Sequence, residues 1–438
     1  MSLQDVLGKI NKEFKKELAI QGIGELKVKR IPFTSPRLNY ETYGGIPRGR
    51  MTMFAGKESS GKSTTALDIV KNAQILFQQE WEDELRECNN FIEENQSKKS
   101  YKSQVDENKD RVKYLTQRGP LKVVYFDAEG TIDGAWAKRL GVDVDNIWLV
   151  RLHTQTAEQF LDQVMRVIRD TDDVGLVIID SLAVLVPQLT HGESFEQKAM
   201  GGNAKVLTDF VNEACPVLGE KDIALIGIQQ ARDDFKNPYA DFAIPGGNGL
   251  KLACSLIMTF QKGKFLDAAG QEQKNSFETP QGNVIWARIQ KTKICKPDRR
   301  VGFYTLSYDY GVDVVADVIP MAIDLDVIEK SGAWFKIKDP MNETGYMTWD
   351  NGEIVKFQGQ VNLMNFLRET PAAFEYVNNT VMSRVTGDML QIDGETDLKA
   401  MEEANALAEN PLVRMSEDTE QPIENQIVDE IPFEETTV

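Results

Sequence analysis

The chain contains few of the residues on which metal centres, disulfide frameworks and histidine catalysis depend. Among 438 residues there are four cysteines and two histidines, and the cysteines have no paired spacing. This pattern argues against a zinc knuckle or a disulfide framework and is typical of a reducing compartment. His153 and His191 are too few for a histidine-centred metal site or a catalytic triad.

Long hydrophobic runs are also missing. No stretch of about 18 consecutive apolar residues occurs, and the first 30 residues alternate charged with apolar positions instead of forming a signal-peptide core. We therefore expect a cytoplasmic protein without membrane contact. Apolar residues make up 41% of the chain, which is enough for a folded core and excludes disorder throughout.

The negative charge is concentrated at the end of the chain. The formal net charge is -18, and residues 388–438 account for -13 of it, with 15 acidic side chains against Lys399 and Arg414. Because few aromatics accompany these acids, we predict a disordered acidic tail, either a decoy that competes with DNA or a simple solubility tail. The remaining residues carry only -5, so the total charge does not exclude a nucleic-acid partner.

The body of the chain alternates short β-rich runs with helical stretches. The runs are MTMFAG, VVYFDAE, IWLVRL, GLVIIDS, IALIGIQQ, SLIMTFQ and VIWARIQ. Strands interleaved with helices predict an α/β fold with a mostly parallel central sheet. The last two runs are joined by a polar loop instead of a helix, which indicates antiparallel strands there.

The same patterning predicts four regions and one insertion. Residues 1–32 begin with a short amphipathic helix, an α/β core spans 33–312, a small α+β domain spans 313–387, and the acidic tail follows. About sixty residues separate the first two core strands, far more than a crossover needs. Their helical pattern predicts a charged hairpin at about 80–118, either a structural or interaction element or a contact to DNA or a partner.

A phosphate-binding motif is the strongest local signal. The segment GKESSGKS matches G-x-x-x-x-G-K-[ST] after a predicted strand and before a helical run. Glycines let the backbone wrap around phosphates, and the amides at the helix start face the anion. The lysine is expected to reach the β- and γ-phosphates and the last serine to ligate Mg²⁺. The predicted nucleotide-binding residues are Gly56, Glu58, Ser59, Ser60, Gly61, Lys62, Ser63 and Thr64.

Two further predicted strands end in carboxylates. The run GLVIIDS contains Asp180, which is placed as the acid that holds Mg²⁺ through water in phosphate-loop ATPases; capping a turn is the alternative. The run VVYFDAE ends in Asp127 and Glu129, and an acid beside the nucleotide can orient the attacking water as a general base. Chemistry alone does not choose between these two acids.

These motifs, in this order, resemble those of the RecA strand-exchange recombinases, including their viral relatives. The phosphate loop is similar to the family's, with Lys57 where proline is usual, and residues 127–143 are similar to the segment that carries the catalytic glutamate. The resemblance implies that Glu129 is the catalytic base. It also implies that Asp133 meets the adenine amino group and that Trp136 stacks on the ring in place of a tyrosine.

The resemblance continues into residues that imply coupling to DNA. Gln230 matches a glutamine that senses the γ-phosphate, and Lys291 and Lys293 match two lysines that reach the neighbouring subunit's ATP. One DNA loop is implied near residues 193–201 and a second at 231–245, the second differing from the family in composition. The implied DNA-binding residues are Met200, Gly201, Lys205 (in place of an arginine), Arg232, Gly246, Gly247 and Asn248.

The resemblance implies a DNA-dependent ATPase that forms helical filaments on single-stranded DNA and catalyses homologous pairing and strand exchange. Its implied cofactors are ATP and Mg²⁺, and residues 1–32 would be its polymerisation segment. Its implied partners are single-stranded and homologous double-stranded DNA, further copies of the chain, and single-strand-binding and loader proteins. The expected location is the cytoplasm, of the host if the source is viral.

Two alternatives share parts of this pattern. A hexameric helicase also has a RecA-type core, but it usually carries a separate N-terminal domain, for which the first 30 residues leave no room. A non-catalytic nucleotide-binding regulator would keep the phosphate loop and lose the catalytic acid and the two lysines. Glu129, Lys291 and Lys293 are all present.

Overall fold

The computed structural model describes residues 3–14, 28–153, 155–188, 202–231, 243–267, 270–274 and 278–392. The helices are α1 Leu3–Phe14, α2 Pro36–Thr42, α3 Lys62–Asn95, α4 Lys102–Arg118, α5 Gly134–Arg139, α6 Ala157–Asp170, α7 Gly202–Lys221, α8 Gly247–Ala253, α9 Val314–Asp324, α10 Gln360–Glu369 and α11 Pro371–Ile392. Within those ranges no helix is both long and apolar enough to cross a membrane.

The strands include four almost fully buried ones at the centre and short pairs at the periphery. They are β1 Arg30–Ile31, β2 Ile46–Pro47, β3 Met51–Gly56, β4 Lys122–Asp127, β5 Ile147–Arg151, β6 Val174–Asp180, β7 Ala224–Gln230, β8 Leu256–Leu266, β9 Gly282–Thr292, β10 Val301–Ser307, β11 Gly311–Val312, β12 Ile328–Ser331, β13 Trp334–Ile337 and β14 Lys356–Gln358. The four almost fully buried strands are β3, β4, β6 and β7.

A nine-stranded sheet forms the centre of the molecule. Its strand order is β11-β10-β9-β8-β3-β7-β6-β4-β5. The six strands from β8 to β5 pair in parallel, whereas β9, β10 and β11 are added antiparallel. The predicted α/β class is confirmed, and so is the antiparallel pairing of β8 and β9, the two strands joined without a helix.

Helices cover both faces of this sheet, which explains why the central strands are continuous apolar runs. One hydrophobic cluster lies beneath α3 and contains Phe54 and Tyr125. The other lies beneath α6 and α7 and contains Phe126 and Phe160, whose rings meet edge to face at 5.6 Å. The carboxyl ends of the parallel strands consequently meet at one edge, with Gly56 opposite Gln230 and Asp127 opposite Asp180.

Residues 80–118 form the predicted helical hairpin from the second half of α3 and from α4. The indole Nε1 of Trp81 donates to the carbonyl oxygen of Leu115 at 2.9 Å and so joins the two helices. Arg48, at the base, donates to both carboxylate oxygens of Glu80 at 3.0 and 2.8 Å and lies 3.0 Å from Asp222. The hairpin is therefore fixed to the core at its base.

A smaller unit follows the core. The antiparallel sheet β12-β13-β14 packs with α9, α10 and α11 around its own hydrophobic cluster. Helix α11 extends to Ile392, so residues 388–392, which the sequence assigned to the acidic tail, belong to a helix. The rest of the predicted tail lies outside the described residues, and the predicted region boundaries stay predictions.

Candidate active site

The loop between β3 and α3 has the backbone form of an anion cradle. Ser59 and Gly61 have φ angles of 57° and 93°, which turn the chain into α3. A Cβ atom on Gly61 would lie 2.6 Å from Ile285 Cδ1, and one on Gly56 would lie 2.5 Å from the carbonyl oxygen of Phe260. The two glycines are thus required by space, and the amides at the start of α3 are placed to meet an anion.

Lys62 lies in this cradle as a buried cation. Its Nζ donates to the carbonyl oxygen of Lys57 at 2.6 Å and lies 3.4 Å from the buried Ser60 Oγ. Burial lowers the pKa of Lys62, and nearby carboxylates, Asp180 first among them, oppose that shift. An ammonium group whose hydrogen-bond acceptors are neutral oxygens is suited to an anionic ligand, so the cradle fits the phosphates of a nucleotide.

Ser63 and Asp180, the residues predicted to hold Mg²⁺, are brought together. Asp180 is 4% exposed and accepts a hydrogen bond from Tyr125 Oη at 2.7 Å. Burial raises the pKa of Asp180, and hydrogen bonds with Ser63 and Tyr125 act against that rise. A hydroxyl beside a carboxylate is the oxygen donor set that Mg²⁺ takes together with waters, so these residues fit the ion.

The two acids at the end of β4 have different surroundings: Asp127 is the last residue of the strand, and Glu129 lies in the loop after it. Asp127 is buried, and its carboxylate accepts hydrogen bonds from the backbone amides of Gly130 at 2.8 Å, Thr131 at 3.2 Å and Ile132 at 3.3 Å. Three amide donors occupy most of the roughly four acceptor positions of this carboxylate and shape the loop that carries the next acid. Asp127 is therefore a loop-forming residue.

Glu129 lies at the tip of that loop and faces the ends of two other strands. Its Oε1 accepts hydrogen bonds from Ser181 Oγ at 2.5 Å and from Gln230 Nε2 at 3.1 Å. The side chain is only partly buried, so a water molecule can reach it. Of the two acids, Glu129 is the one open to solvent, and it is linked directly to the end of β7. Its role as the general base stays a prediction.

Two neighbours of the acids were not singled out from the sequence. Tyr125 is placed against Asp180 only by the pairing of β4 with β6, and Ser181 reaches Glu129 from the residue after β6. The only signal for either was its position within two residues of a candidate acid. The exposed or partly exposed Glu58, Ser59, Ser63 and Thr64 complete the loop region.

Comparison with known proteins gives a match over most of the chain. The family model described as RecA N-terminal domain matches residues 1–79 and 112–313. The chain belongs to the RecA family. The resemblance predicted from the motifs is confirmed, and the matched ranges include every residue of the site described above. Residues 80–111, most of the hairpin, lie outside the match.

Curated relatives named Protein RecA are similar along nearly their whole length. The chain is 28% identical to that of Thermus aquaticus over 388 residues, which are 87% of this chain and 94% of the relative. A Protein RecA of Thermus thermophilus is 27% identical over 401 residues, 90% of this chain and 97% of the relative. That of Streptococcus agalactiae serotype III is 26% identical over 412 residues, with 92% and 90% covered. Membership of this family supports a role in DNA recombination and repair that uses ATP and DNA.

The residues that the RecA resemblance assigns to adenine lie at the start of α5. Asp133 caps this helix, because its Oδ1 accepts hydrogen bonds from the amides of Ala135 at 2.8 Å and Trp136 at 3.3 Å. Trp136 is half-buried and packs against the hydrophobic cluster beneath α3. Both residues have a structural role, and their contact with adenine stays a prediction.

Lys291 and Lys293, predicted to act across a RecA subunit interface, lie side by side. Lys291 Nζ donates to the carbonyl oxygens of Lys251 at 2.5 Å and Leu252 at 3.0 Å, and Lys293 Nζ donates to that of Leu252 at 2.6 Å. These carbonyls end α8, where cations are favoured. Burial, together with the adjacent Lys293, lowers the pKa of Lys291.

Strand register keeps these lysines away from the chain's own phosphate loop. Thr292 lies opposite Leu256, which lies opposite Thr52 near the start of β3. The loop begins at Gly56, four residues further on, which is about 13 Å along a strand. The two lysines therefore lie at the amino edge of the parallel strands, whereas the phosphate loop lies at the carboxyl edge.

The implied DNA loops lead into two helices that pack closely. A Cβ atom on Gly247 would lie 2.9 Å from Ala204 Cβ, and one on Gly249 would overlap the side chain of Thr208. Helices α7 and α8 therefore touch without room for a larger side chain. Their first turns, and with them the ends of both predicted loops, are neighbours at the carboxyl edge.

The predicted DNA-binding residues divide into two groups. Lys205 in α7 and Asn248 in α8 are exposed, and Gly246, with φ of 101°, turns the chain into α8 beside Gly247. Their contacts with DNA stay predictions. The others lie outside the described residues: Met200, Gly201 and Arg232.

Proposed function

We propose that this protein is a DNA-dependent ATPase that polymerises on single-stranded DNA and promotes homologous pairing and strand exchange. One observation carries the proposal. The phosphate loop, Asp180, Glu129 and Gln230 meet at the carboxyl edge, and the lysine pair lies at the opposite edge of the same sheet. A nucleotide held between two stacked copies would meet all of these groups at once.

The residues at the carboxyl edge would have different roles in hydrolysis: phosphate binding, Mg²⁺ binding and proton transfer. Lys62 would place its ammonium group against the β- and γ-phosphates. Ser63 and Asp180 would hold Mg²⁺, which would neutralise charge on the phosphate oxygens. Glu129 accepts a proton from the water that attacks the γ-phosphorus, and the bond to the bridging oxygen between the β- and γ-phosphorus breaks.

The same residues connect hydrolysis to DNA. Gln230 donates to Glu129 Oε1, and the next residue, Ala231, donates its amide to the carbonyl oxygen of Gly56 at 2.9 Å. The second predicted DNA loop begins here, so a change at the γ-phosphate reaches that loop through one side chain. The neighbour's Lys291 and Lys293 would supply positive charge to the transferred phosphoryl group, as an arginine finger does.

Imaging and an ATPase assay test this proposal together. Negative-stain images with single-stranded DNA and a slowly hydrolysed ATP analogue are expected to show open helical filaments. ATP hydrolysis is expected to rise when single-stranded DNA is added. Closed rings would instead support a helicase, and isolated particles without stimulated hydrolysis would support a non-catalytic regulator.

A further inference from the structure

The hairpin (residues 80–118) is a long helical arm, and side-chain contacts order the turn at its tip. Fifteen residues of α3 extend beyond Glu80, about 22 Å of helix. At the tip, residues 96–104, Lys98 Nζ donates to Asn95 Oδ1 at 3.0 Å and lies 5.7 Å from the centre of the Tyr101 ring. Phe91 packs edge to face on Tyr101 at 6.2 Å. These contacts fix the turn between α3 and α4.

The charge on this arm is separated along its length. Between Asn95 and Val105 there are three lysines and no acid. Lys99 and Lys102 are exposed, and within the described part of the chain neither makes an ion pair. Immediately behind the tip lies an acidic flank, four exposed carboxylates formed by Glu93, Glu94, Asp106 and Glu107. A cationic tip next to an acidic flank is poorly suited to a phosphate backbone, because the flank repels it.

The arm leaves the molecule at the edge opposite the predicted DNA loops. At its base, Arg48 links the arm to Asp222, just after α7. In the same region, Phe77 packs against Gly175 at the start of β6. Helix α7 has 20 residues, about 30 Å, and the predicted DNA loops meet its other end. The arm shares its edge with Lys291 and Lys293, the residues proposed to reach the neighbouring copy.

We propose that the hairpin forms a second contact between adjacent copies of this chain, with the tip lysines of one copy against the acidic flank of the next. The proposal rests on the proposed filament. Tip and flank are complementary and lie on different parts of one arm, so the proposed contact joins unlike surfaces of successive copies. Such a head-to-tail contact can repeat along the proposed filament. Residues 80–111, which the RecA family model does not match, would add this contact.

Cooperative binding to single-stranded DNA tests the contact in the full chain. The variant Lys99→Glu with Lys102→Glu reverses the tip and leaves the structural Lys98 in place. Binding with an ATP analogue is measured on a long strand and on an oligonucleotide short enough to hold one copy. The ratio of the two affinities is expected to fall about tenfold at low salt, because each interfacial charge pair is replaced by repulsion. Affinity for the short oligonucleotide is expected to stay unchanged.

Two further variants make the test specific. Lys330→Glu with Lys356→Glu changes the net charge equally on exposed positions of the small C-terminal sheet and should leave the ratio unchanged. Adding Glu93→Lys and Glu94→Lys to the tip variant brings the four-acid flank from a net charge of -4 to 0. This removes the repulsion between the reversed tip and the flank and should restore part of the cooperativity.

Three results would overturn the inference. An unchanged ratio in the tip variant would show that the tip makes no contact between copies. An equal loss on the short oligonucleotide would mean that the tip binds DNA. No recovery in the combined variant would exclude the flank as the partner surface. Wild-type protein that forms no filament would refute the proposed function instead, before any variant is compared.

Discussion

A buried carboxyl group between the core and the C-terminal unit predicts a stability that depends on pH. Asp317 on α9 is 1% exposed, and its Oδ2 accepts a hydrogen bond from Ser35 Oγ. The same hydroxyl caps α2 by accepting from the amide of Leu38 at 3.2 Å. Burial raises the pKa of Asp317 to about 7, against hydrogen bonding by Ser35 and the charge of Arg37, with Asp313 adding to the rise.

The raised pKa of Asp317 sets the size and the sign of the change in stability with pH. The ordinary pKa is 3.8, so the folded state holds a proton between about pH 4 and pH 7 that the unfolded chain releases. Stability is therefore lost as the pH rises through this window and stays low above it. A shift of about three units corresponds to about 4 kcal/mol at full effect. Asp317→Asn removes this titrating group, so the stability of the variant relative to wild type should rise between about pH 4 and pH 7 and be highest above pH 7.

Urea unfolding followed by tryptophan fluorescence measures this difference, with Trp349 reporting from the C-terminal unit. The gap in unfolding free energy between Asp317→Asn and wild type should widen from pH 5 to pH 7 and then level off. Glu41, whose pKa burial also raises to about 7, titrates in both proteins and cancels in the difference. The matched control is Asp324→Asn, on the same helix as Asp317, which removes an exposed ion pair with Arg37. This control should change the free energy of unfolding by less than about 1 kcal/mol and should not show this pH dependence. Parallel profiles for wild type and Asp317→Asn would refute the reasoning.

Three further predictions concern the candidate site. Lys62→Ala should abolish ATP hydrolysis, because it removes the buried ammonium group of the cradle, whereas Lys57 in the same loop is exposed; turnover near the wild-type rate would contradict the assignment. Glu129→Gln should bind ATP and lower kcat by about 10²- to 10⁴-fold, whereas Asp127→Asn should act mainly on stability, by about 1–3 kcal/mol through its amide contacts. The opposite ranking in kcat would reverse the two roles. Lys291→Ala and Lys293→Ala should lose DNA-stimulated hydrolysis while the single subunit still binds nucleotide, and mixing either with Glu129→Gln should recover activity at mixed interfaces. Absence of recovery would count against action between copies.

The fold was predictable wherever a local pattern decides it. Each apolar run became a strand, and the central runs β3, β4, β6 and β7 are continuous because a strand covered on both faces leaves no polar position to interrupt it. The hairpin was predictable because apolar residues at helical spacing continue past the length that a crossover needs. The contact of Ser35 with Asp317 was not predictable, since 282 residues separate the two and only the docking of α9 on α2 joins them.

The site was predictable in its motifs but not in its division of roles. The sequence placed Asp127 and Glu129 at one strand end, yet their roles depend on a turn that presents three amides to one carboxylate and leaves the other facing Gln230. The same holds for Asp133, whose capping bonds exist only because α5 begins at the next residue. Backbone geometry after a strand decides such roles, and residue type alone does not.

The strand register also prevents Lys291 from reaching the phosphate loop of its own chain. Lys291 pairs with Ile257 at the start of β8, while the phosphate loop follows the far end of β3, and a sheet strand does not bend back on itself over that distance. A side chain that reaches a nucleotide from the amino edge must therefore reach the nucleotide of another copy. The hairpin leaves from this same edge, so residues 80–111, which the RecA family model does not match, lie where the proposed neighbouring copy would dock. In the proposed filament, hydrolysis and assembly would both depend on this edge, and changes at the hairpin tip should alter assembly while leaving the chemistry of each site intact.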